Sequence, residues 1–388
     1  MITPANRIAR SKRYVFDELA QMKKVDPRDP STFFDLSIGN PDSRPDPEIL
    51  EMLGAQLRSE KFQNHRYSPF DGAPEFRSAV SKWYGKRFGV TGIDPDGQVL
   101  PLIGSKEGIA HLLLAYVDPG DTVVVATPCY PAYLSAARVV EANVVELPLR
   151  AENGFLPDYS DISADVWDRA KFLFFNYPNN PTGAVAEMDT FEQALALARR
   201  HDFIAVSDLA YTELALEPGC PTPSIMQLAN AADHALEFHS FSKSYSMAGW
   251  RLGWVVGNRE VLGNLVKVKA SVDFSVFLAI QRTGAEILLA ERDFAEPLRR
   301  AYRRRRDLLV DGFAELGWPL ARPRAAMYIW DRVPARYGDK DFEFVKDFFD
   351  ATGVIVSPGS AFGAHCQGFM RISMVIDEAA IARMFEAV

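Results

Sequence analysis

Short runs of uninterrupted apolar residues, each followed by a helix-length amphipathic segment, set the strongest limit on how this chain folds. Residues 99–103 read as such a strand and residues 106–116 as the helix behind it. Residues 122–126, 172–175, 203–206, 236–239 and 252–256 repeat the strand signal, with helix-length stretches between most of them. A strand that is apolar on both faces has to be covered on both faces, and helices inserted between strands supply the crossovers that a parallel sheet needs. The fold class expected is therefore α/β, with a mostly parallel central sheet and helices on either side. From about residue 261 to 316 the pattern becomes long helices, with Gly317 as the stop. Strands at 327–330 and 369–373 and a helix at 342–349 then mark a second, smaller α/β unit. Two domains follow: a large one over 47–282, and a small one built from 283–388 together with residues 1–46 as an N-terminal arm.

Composition narrows the function classes. The chain has 388 residues, 48% of them hydrophobic and 24% charged, which excludes a disordered, collagen-like or coiled-coil chain. With 43 Lys and Arg against 51 Asp and Glu, the net charge of −8 argues against nucleic acid or an anionic membrane as the main partner. A basic cluster, Arg299, Arg300 and the four arginines at 303–306, alternates with Leu298, Tyr302, Leu309 and Phe313 at helical spacing, so it reads as a solvated helix face. Cys129, Cys220 and Cys366 are far apart and odd in number, giving neither a disulfide framework nor a zinc pattern. No metal site is expected. Nothing in the sequence has the length of a signal peptide's apolar core or a membrane span, and the expected location is cytoplasmic.

In a parallel α/β sheet, ligands bind where the strands end, so the residues after each strand carry the functional signal. After 99–103 comes Gly104-Ser105-Lys106-Glu107-Gly108, a tight turn entering a helix, whose free N–H groups and dipole suit an anion. Taken alone the signal is weak, since Ser105 reads more readily as a helix cap, and the order of residues is not that of a Walker loop. After 172–175 comes Asn176-Tyr177-Pro178-Asn179-Asn180-Pro181-Thr182-Gly183, and after 203–206 comes Ser207-Asp208-Leu209-Ala210-Tyr211. After 236–239 comes Ser240-Phe241-Ser242-Lys243-Ser244, with Arg251 eight residues beyond the lysine. An amine, a carboxylate, an amide and an anion site thus fall at the strand ends of one sheet.

Together these motifs resemble the pyridoxal-phosphate (PLP) enzymes of fold type I, in the class I/II aspartate aminotransferase family, over about residues 36–371. The resemblance implies an aminotransferase with PLP as cofactor and a Schiff base on Lys243. It implies that Asp208 pairs with the pyridine nitrogen, and that Asn180 and Tyr211 bond the phenolic oxygen. Ser105, the Lys106 backbone, Ser240, Ser242 and Arg251 would hold the phosphate, and Tyr130 would stack on the ring. Arg371, in Phe369-Met370-Arg371-Ile372-Ser373, matches the arginine that clamps a substrate carboxylate, a task suited to its forked donors. Gly39 matches the loop glycine that lets backbone approach the substrate. Tyr67 matches the tyrosine given to the phosphate of the neighbouring subunit, which implies a homodimer with shared sites.

Within the family, residues 37–42, 104–108 and 357–363 are most similar to the LL-diaminopimelate and alanine subgroups, and Tyr14 fits a substrate-contacting tyrosine of the diaminopimelate enzymes. The chain departs from them at Asp273-Phe274-Ser275, where those enzymes place an asparagine near the far end of the substrate. Alanine, aspartate and N-succinyl-diaminopimelate therefore stay open as amino donors, with a 2-oxoacid such as 2-oxoglutarate as acceptor. A PLP-dependent C–S lyase or decarboxylase would use the same lysine. A PLP-binding transcription regulator needs a DNA-binding domain ahead of these motifs, for which about 30 residues are too few.

Overall fold

The computed structural model describes residues 2–9, 15–60 and 63–387. Its strands, in chain order, are β1 (Phe34–Asp35), β2 (Val99–Leu102), β3 (Thr122–Thr127), β4 (Asn143–Pro148), β5 (Ala170–Asn176), β6 (Ile204–Asp208), β7 (Ala235–Ser240), β8 (Gly253–Gly257), β9 (Tyr328–Arg332), β10 (Val354–Ile355), β11 (Ser357–Pro358) and β12 (Phe369–Ser373). Seven of them form one sheet in the order β2-β8-β7-β6-β5-β3-β4. Within it β3, β4, β5, β6 and β7 run parallel, while β8 is antiparallel to both of its neighbours. The fold class is α/β, as the apolar runs require.

The runs are apolar throughout because both faces are covered. Val123, Val124 and Val125 on β3 are fully buried although they point alternately to opposite faces. Each contributes roughly 1.5–3 kcal/mol by leaving water. One face packs on the buried side of helix Ser105–Tyr116 (Ile109, Leu112, Leu113), and the other on Phe191, Leu195 and Ala198 of helix Met188–His201. The sequence reading had no strand at β4. This edge strand, Asn-Val-Val-Glu-Leu-Pro, is half-exposed and carries polar residues, so it lacks the continuous apolar signal of its neighbours.

A second core surrounds the antiparallel sheet β11-β12-β9 and the short parallel pair β1-β10. Helix Glu296–Glu315 lays Leu298, Tyr302, Leu309 and Phe313 into it. Its arginines are not all a solvated face, which corrects the sequence reading. Arg305 and Arg306 are buried, the first bidentate to Asp42 at 2.8 Å through both Nη atoms, the second paired with Glu217 at 2.5 Å. Only Arg300 and Arg304 stay largely exposed. Helix Leu278–Leu289 runs across the expected domain boundary at 282/283, and its Ile287 and Leu288 pack with the core of the large sheet. No helix of the described residues is long and apolar enough to cross a membrane.

Candidate active site

Every parallel strand near the middle of the large sheet ends at one cavity of about 500 Å³. That volume suits a drug-sized ligand. Asn176 ends β5 and Asp208 ends β6, opposite each other in register. Helix Phe241–Ser244 follows β7 at once and carries Lys243, helix Ser105–Tyr116 begins three residues after β2, and Tyr130 lies three residues after β3. The small sheet supplies Tyr328 and Arg371, and the segment after β1 supplies Ile38, Gly39 and Asn40.

Lys243 Nζ donates to the Gly39 carbonyl at 2.5 Å. Burial, and then the positive charges of Arg371 and Arg251, bring its amine down to about 8. Such a lysine is readily deprotonated near neutrality, as a nucleophile or proton shuttle must be. Asp208 is 3% exposed, and its carboxylate accepts from the Tyr133 hydroxyl at 2.6 Å and from the Ala210 N–H at 3.1 Å. Burial raises its carboxyl above the ordinary range, and the two donors oppose that rise.

Arg251 closes the far end. Held in the left-handed region at φ 57°, it reaches back with its guanidinium to the carbonyls of Ala248 (2.9 Å) and Ile103 (3.1 Å). This brings it against Gly104, where a Cβ would stand 2.5 Å from Nη2; Gly104 itself has φ 74°, so glycine is required twice over. Gly104, not Ser105, occupies the N-cap, with no side-chain capping bond, and Ser105 is the first helical residue. The uncapped N–H groups of that helix, the Arg251 guanidinium and the hydroxyls of Ser105, Ser240 and Ser242 converge as an anion cradle. Ser240 Oγ also caps the helix of Lys243 by accepting from the Ser242 N–H at 3.1 Å.

Arg371 is 3% exposed; it donates to Asn180 Oδ1 (3.0 Å), the Ser37 carbonyl (2.6 Å) and Ser357 Oγ (3.3 Å). The rings of Tyr328, Phe362 and Phe16 lie 4.3, 4.8 and 5.7 Å from its guanidinium carbon. Of the residues expected from sequence, Lys243, Asp208, Tyr211, Asn180, Ser105, Lys106, Tyr130, Ser240, Ser242, Arg251, Gly39 and Arg371 all line this cavity. Tyr67 does not: it is 84% exposed, with its ring 4.8 Å from that of Phe274. Tyr14 lies outside the described residues. Asp273, where the diaminopimelate enzymes place their asparagine, is turned to Lys269 at 3.2 Å and is absent from the lining of the cavity. Tyr133, Tyr328 and Phe16 line the cavity and were missed. Tyr133 sits one helical turn beyond Tyr130 and could have been found; Tyr328 lay inside an apolar strand signal that says nothing of chemistry.

The class I and II aminotransferase model matches residues 31–388. The chain belongs to that family. It is 42% identical over 384 residues to an LL-diaminopimelate aminotransferase of Nitratidesulfovibrio vulgaris, covering 98% of both chains. Among solved structures it is similar to substrate-bound BacF of Bacillus subtilis (TM-score 0.91, 31% identity, 100% of this chain and 97% of that one). It is also similar to a probable N-succinyldiaminopimelate aminotransferase of Thermus thermophilus (TM-score 0.85, 35% identity, 96% and 100%). The chain is thus a PLP-dependent transaminase. The cavity fits that cofactor on its own terms. Among the described residues no cation pairs with the buried Asp208 carboxylate, so a protonated ring nitrogen would complete it. The anion cradle at Arg251 suits a phosphate dianion, and the amine of Lys243 lies in the same cavity.

Proposed function

We propose that this aminotransferase takes its amino group from LL-diaminopimelate or a close relative such as N-succinyl-diaminopimelate, and passes it to a 2-oxoacid such as 2-oxoglutarate. Such a donor would place the enzyme in lysine biosynthesis. The observation that carries the reaction is the convergence of Lys243, Asp208, Arg251 and Arg371 on one cavity. The full-length likeness to LL-diaminopimelate aminotransferases supports the donor class.

When bound, PLP supplies an aldehyde that condenses with amines and a ring that accepts electrons from the substrate carbon. The chain's residues divide the remaining work. Lys243 holds the cofactor and, once released, its neutral Nζ moves the proton at the substrate α-carbon. Asp208 keeps the ring nitrogen protonated, and the Tyr133 hydroxyl favours the charged form of Asp208. Tyr211 and Asn180 hold the phenolic oxygen, and Tyr130 covers the ring. Ser105, the Lys106 N–H, Ser240, Ser242 and Arg251 anchor the phosphate. Arg371 takes the α-carboxylate of the amino acid and of the oxoacid alike, with Gly39 leaving room beside it. Tyr67, exposed on one chain, serves the phosphate of a second copy, which makes the active unit a homodimer.

The two-domain division also belongs to this proposal, with the second unit starting after helix Leu278–Leu289, because the apolar side of that helix packs with the large sheet. A panel of amino donors with 2-oxoglutarate, followed by glutamate formation, tests the substrate. LL-diaminopimelate or its N-succinyl derivative should outpace alanine and aspartate. A preference for alanine, or ammonia and pyruvate released with no acceptor, would overturn the assignment.

A further inference from the structure

Tyr328 lies outside every motif used above, yet three parts of the cavity meet on it. It is 1% exposed and sits on β9. Its hydroxyl is 2.9 Å from that of Tyr211, and the two rings meet at 5.6 Å and 72°. Its ring face lies 4.3 Å from the Arg371 guanidinium carbon. A methyl group on Gly39 would stand 2.1 Å from its hydroxyl oxygen, so the loop whose carbonyl receives Lys243 is packed directly on it.

We propose that Tyr328 is a positioning residue that fixes the Tyr211 hydroxyl as a donor toward the cofactor ring while its ring seats Arg371 for the substrate carboxylate. The inference rests on the reading that Tyr211 bonds the phenolic oxygen. A phenol has one proton to give. Among the described residues, Tyr211 is the one hydrogen-bond partner of the Tyr328 hydroxyl. Were Tyr211 the donor in that contact, the Tyr328 proton would be buried with no acceptor, a costly arrangement. Tyr328 therefore donates to Tyr211, which leaves the Tyr211 proton for the ring oxygen. A hydroxyl that accepts one such bond donates more strongly in the next, so the chain from Tyr328 through Tyr211 is polarised toward the cofactor. The same ring contacts the arginine, so one side chain on the small sheet links the carboxylate site to the oxygen that tunes the cofactor.

The two functions separate by substitution. Tyr328→Phe removes the hydroxyl and keeps the ring; Tyr328→Leu removes both. The holoenzymes of wild type, these two variants and Tyr211→Phe are titrated with pH by the visible absorbance of the bound cofactor. They are also titrated with maleate, a dicarboxylate that cannot react. A donor to the phenolic oxygen stabilises its ionised form, so losing that donor moves the absorbance midpoint to higher pH. Tyr211→Phe should show the full shift and Tyr328→Phe a smaller one in the same direction, with maleate affinity kept within ~2-fold. In turnover, Tyr328→Phe should lower kcat with KM nearly unchanged. Tyr328→Leu should add ~10-fold weaker maleate binding as the ring leaves the guanidinium. A midpoint moved by Tyr211→Phe and untouched by Tyr328→Phe would overturn the role of Tyr328 and leave that of Tyr211 intact. No shift in either variant would overturn both. Equal losses of maleate affinity in Tyr328→Phe and Tyr328→Leu would reduce Tyr328 to packing and overturn the proposal.

Discussion

At the scale of single residues, the site works through charge states that burial sets. The Lys243 amine titrates at about 8 because burial first, and two arginines second, disfavour its charged form. Only the neutral amine attacks a carbonyl, so capture of PLP by the cofactor-free protein should accelerate about tenfold per pH unit below that value and level off above it. Stopped-flow absorbance across pH 6–10 checks this; a rise continuing to pH 10 would mean an ordinary lysine. Burial raises the Asp208 carboxyl, and Tyr133, donating to it at 2.6 Å, opposes that rise. That bond favours the charged form of the carboxylate, so Tyr133→Phe should raise the Asp208 pKa further. The acid limb of the kcat profile should then move to higher pH, since activity needs the ionised form. Arg371→Ala should weaken amino acids and oxoacids alike, by roughly 2–5 kcal/mol in kcat/KM if the carboxylate pair is desolvated. Equal kinetics of amino acids and the matching amines in the wild-type enzyme would contradict that role. Lys243 and Asp208 were legible because each stands in a dense motif at or just after a strand end, and Arg371 because Phe369-Met370-Arg371-Ile372-Ser373 matches a family motif. Tyr328 and Tyr133 were not, because a tyrosine inside an apolar run looks like core until its hydroxyl has a partner.

At the scale of elements, strand ends and close approaches decide where these residues point. The loop after β1 lies so near β9 that Gly39 has no room for a Cβ, with Tyr328 Oη at 2.1 Å from where it would be. Gly39→Ala should therefore displace the loop, and with it the carbonyl that Lys243 meets, costing most of the activity. Removing the obstructing hydroxyl should restore part of that activity, so the Gly39→Ala, Tyr328→Phe pair should be more active than Gly39→Ala alone; double-mutant kinetics read this coupling directly. The strands of the large sheet other than β4 were readable, since Val, Leu and Phe in unbroken runs have to be covered twice. The two-residue strands β1, β10 and β11 are too short to give such a run. The reversal of β8 was not, because an apolar run of Gly-Trp-Val-Val-Gly reads the same in either direction. Nor was the burial of Arg305, which depends on Asp42 arriving from 263 residues away.

At the scale of the whole molecule, the site draws on β1 to β12, so no fragment of the chain contains it. Tyr67 extends the argument past one chain, since its side chain is 84% exposed and absent from its own cavity. If it serves a second copy, Tyr67→Ala and Lys243→Ala homodimers should be impaired and inactive respectively. Their heterodimer has one site with both residues and one with neither, and should recover about half the wild-type activity by counting intact sites. Recovery no greater than that of a Tyr67→Ala site would confine Tyr67 to its own chain. Everything here rests on Lys243 as the residue that holds the cofactor. Borohydride reduction of the holoenzyme followed by peptide mass mapping tests this most directly. The account predicts one pyridoxyl group per chain, on the peptide containing Ser242-Lys243-Ser244, and none in Lys243→Ala; a pyridoxyl group fixed to any other lysine would contradict it.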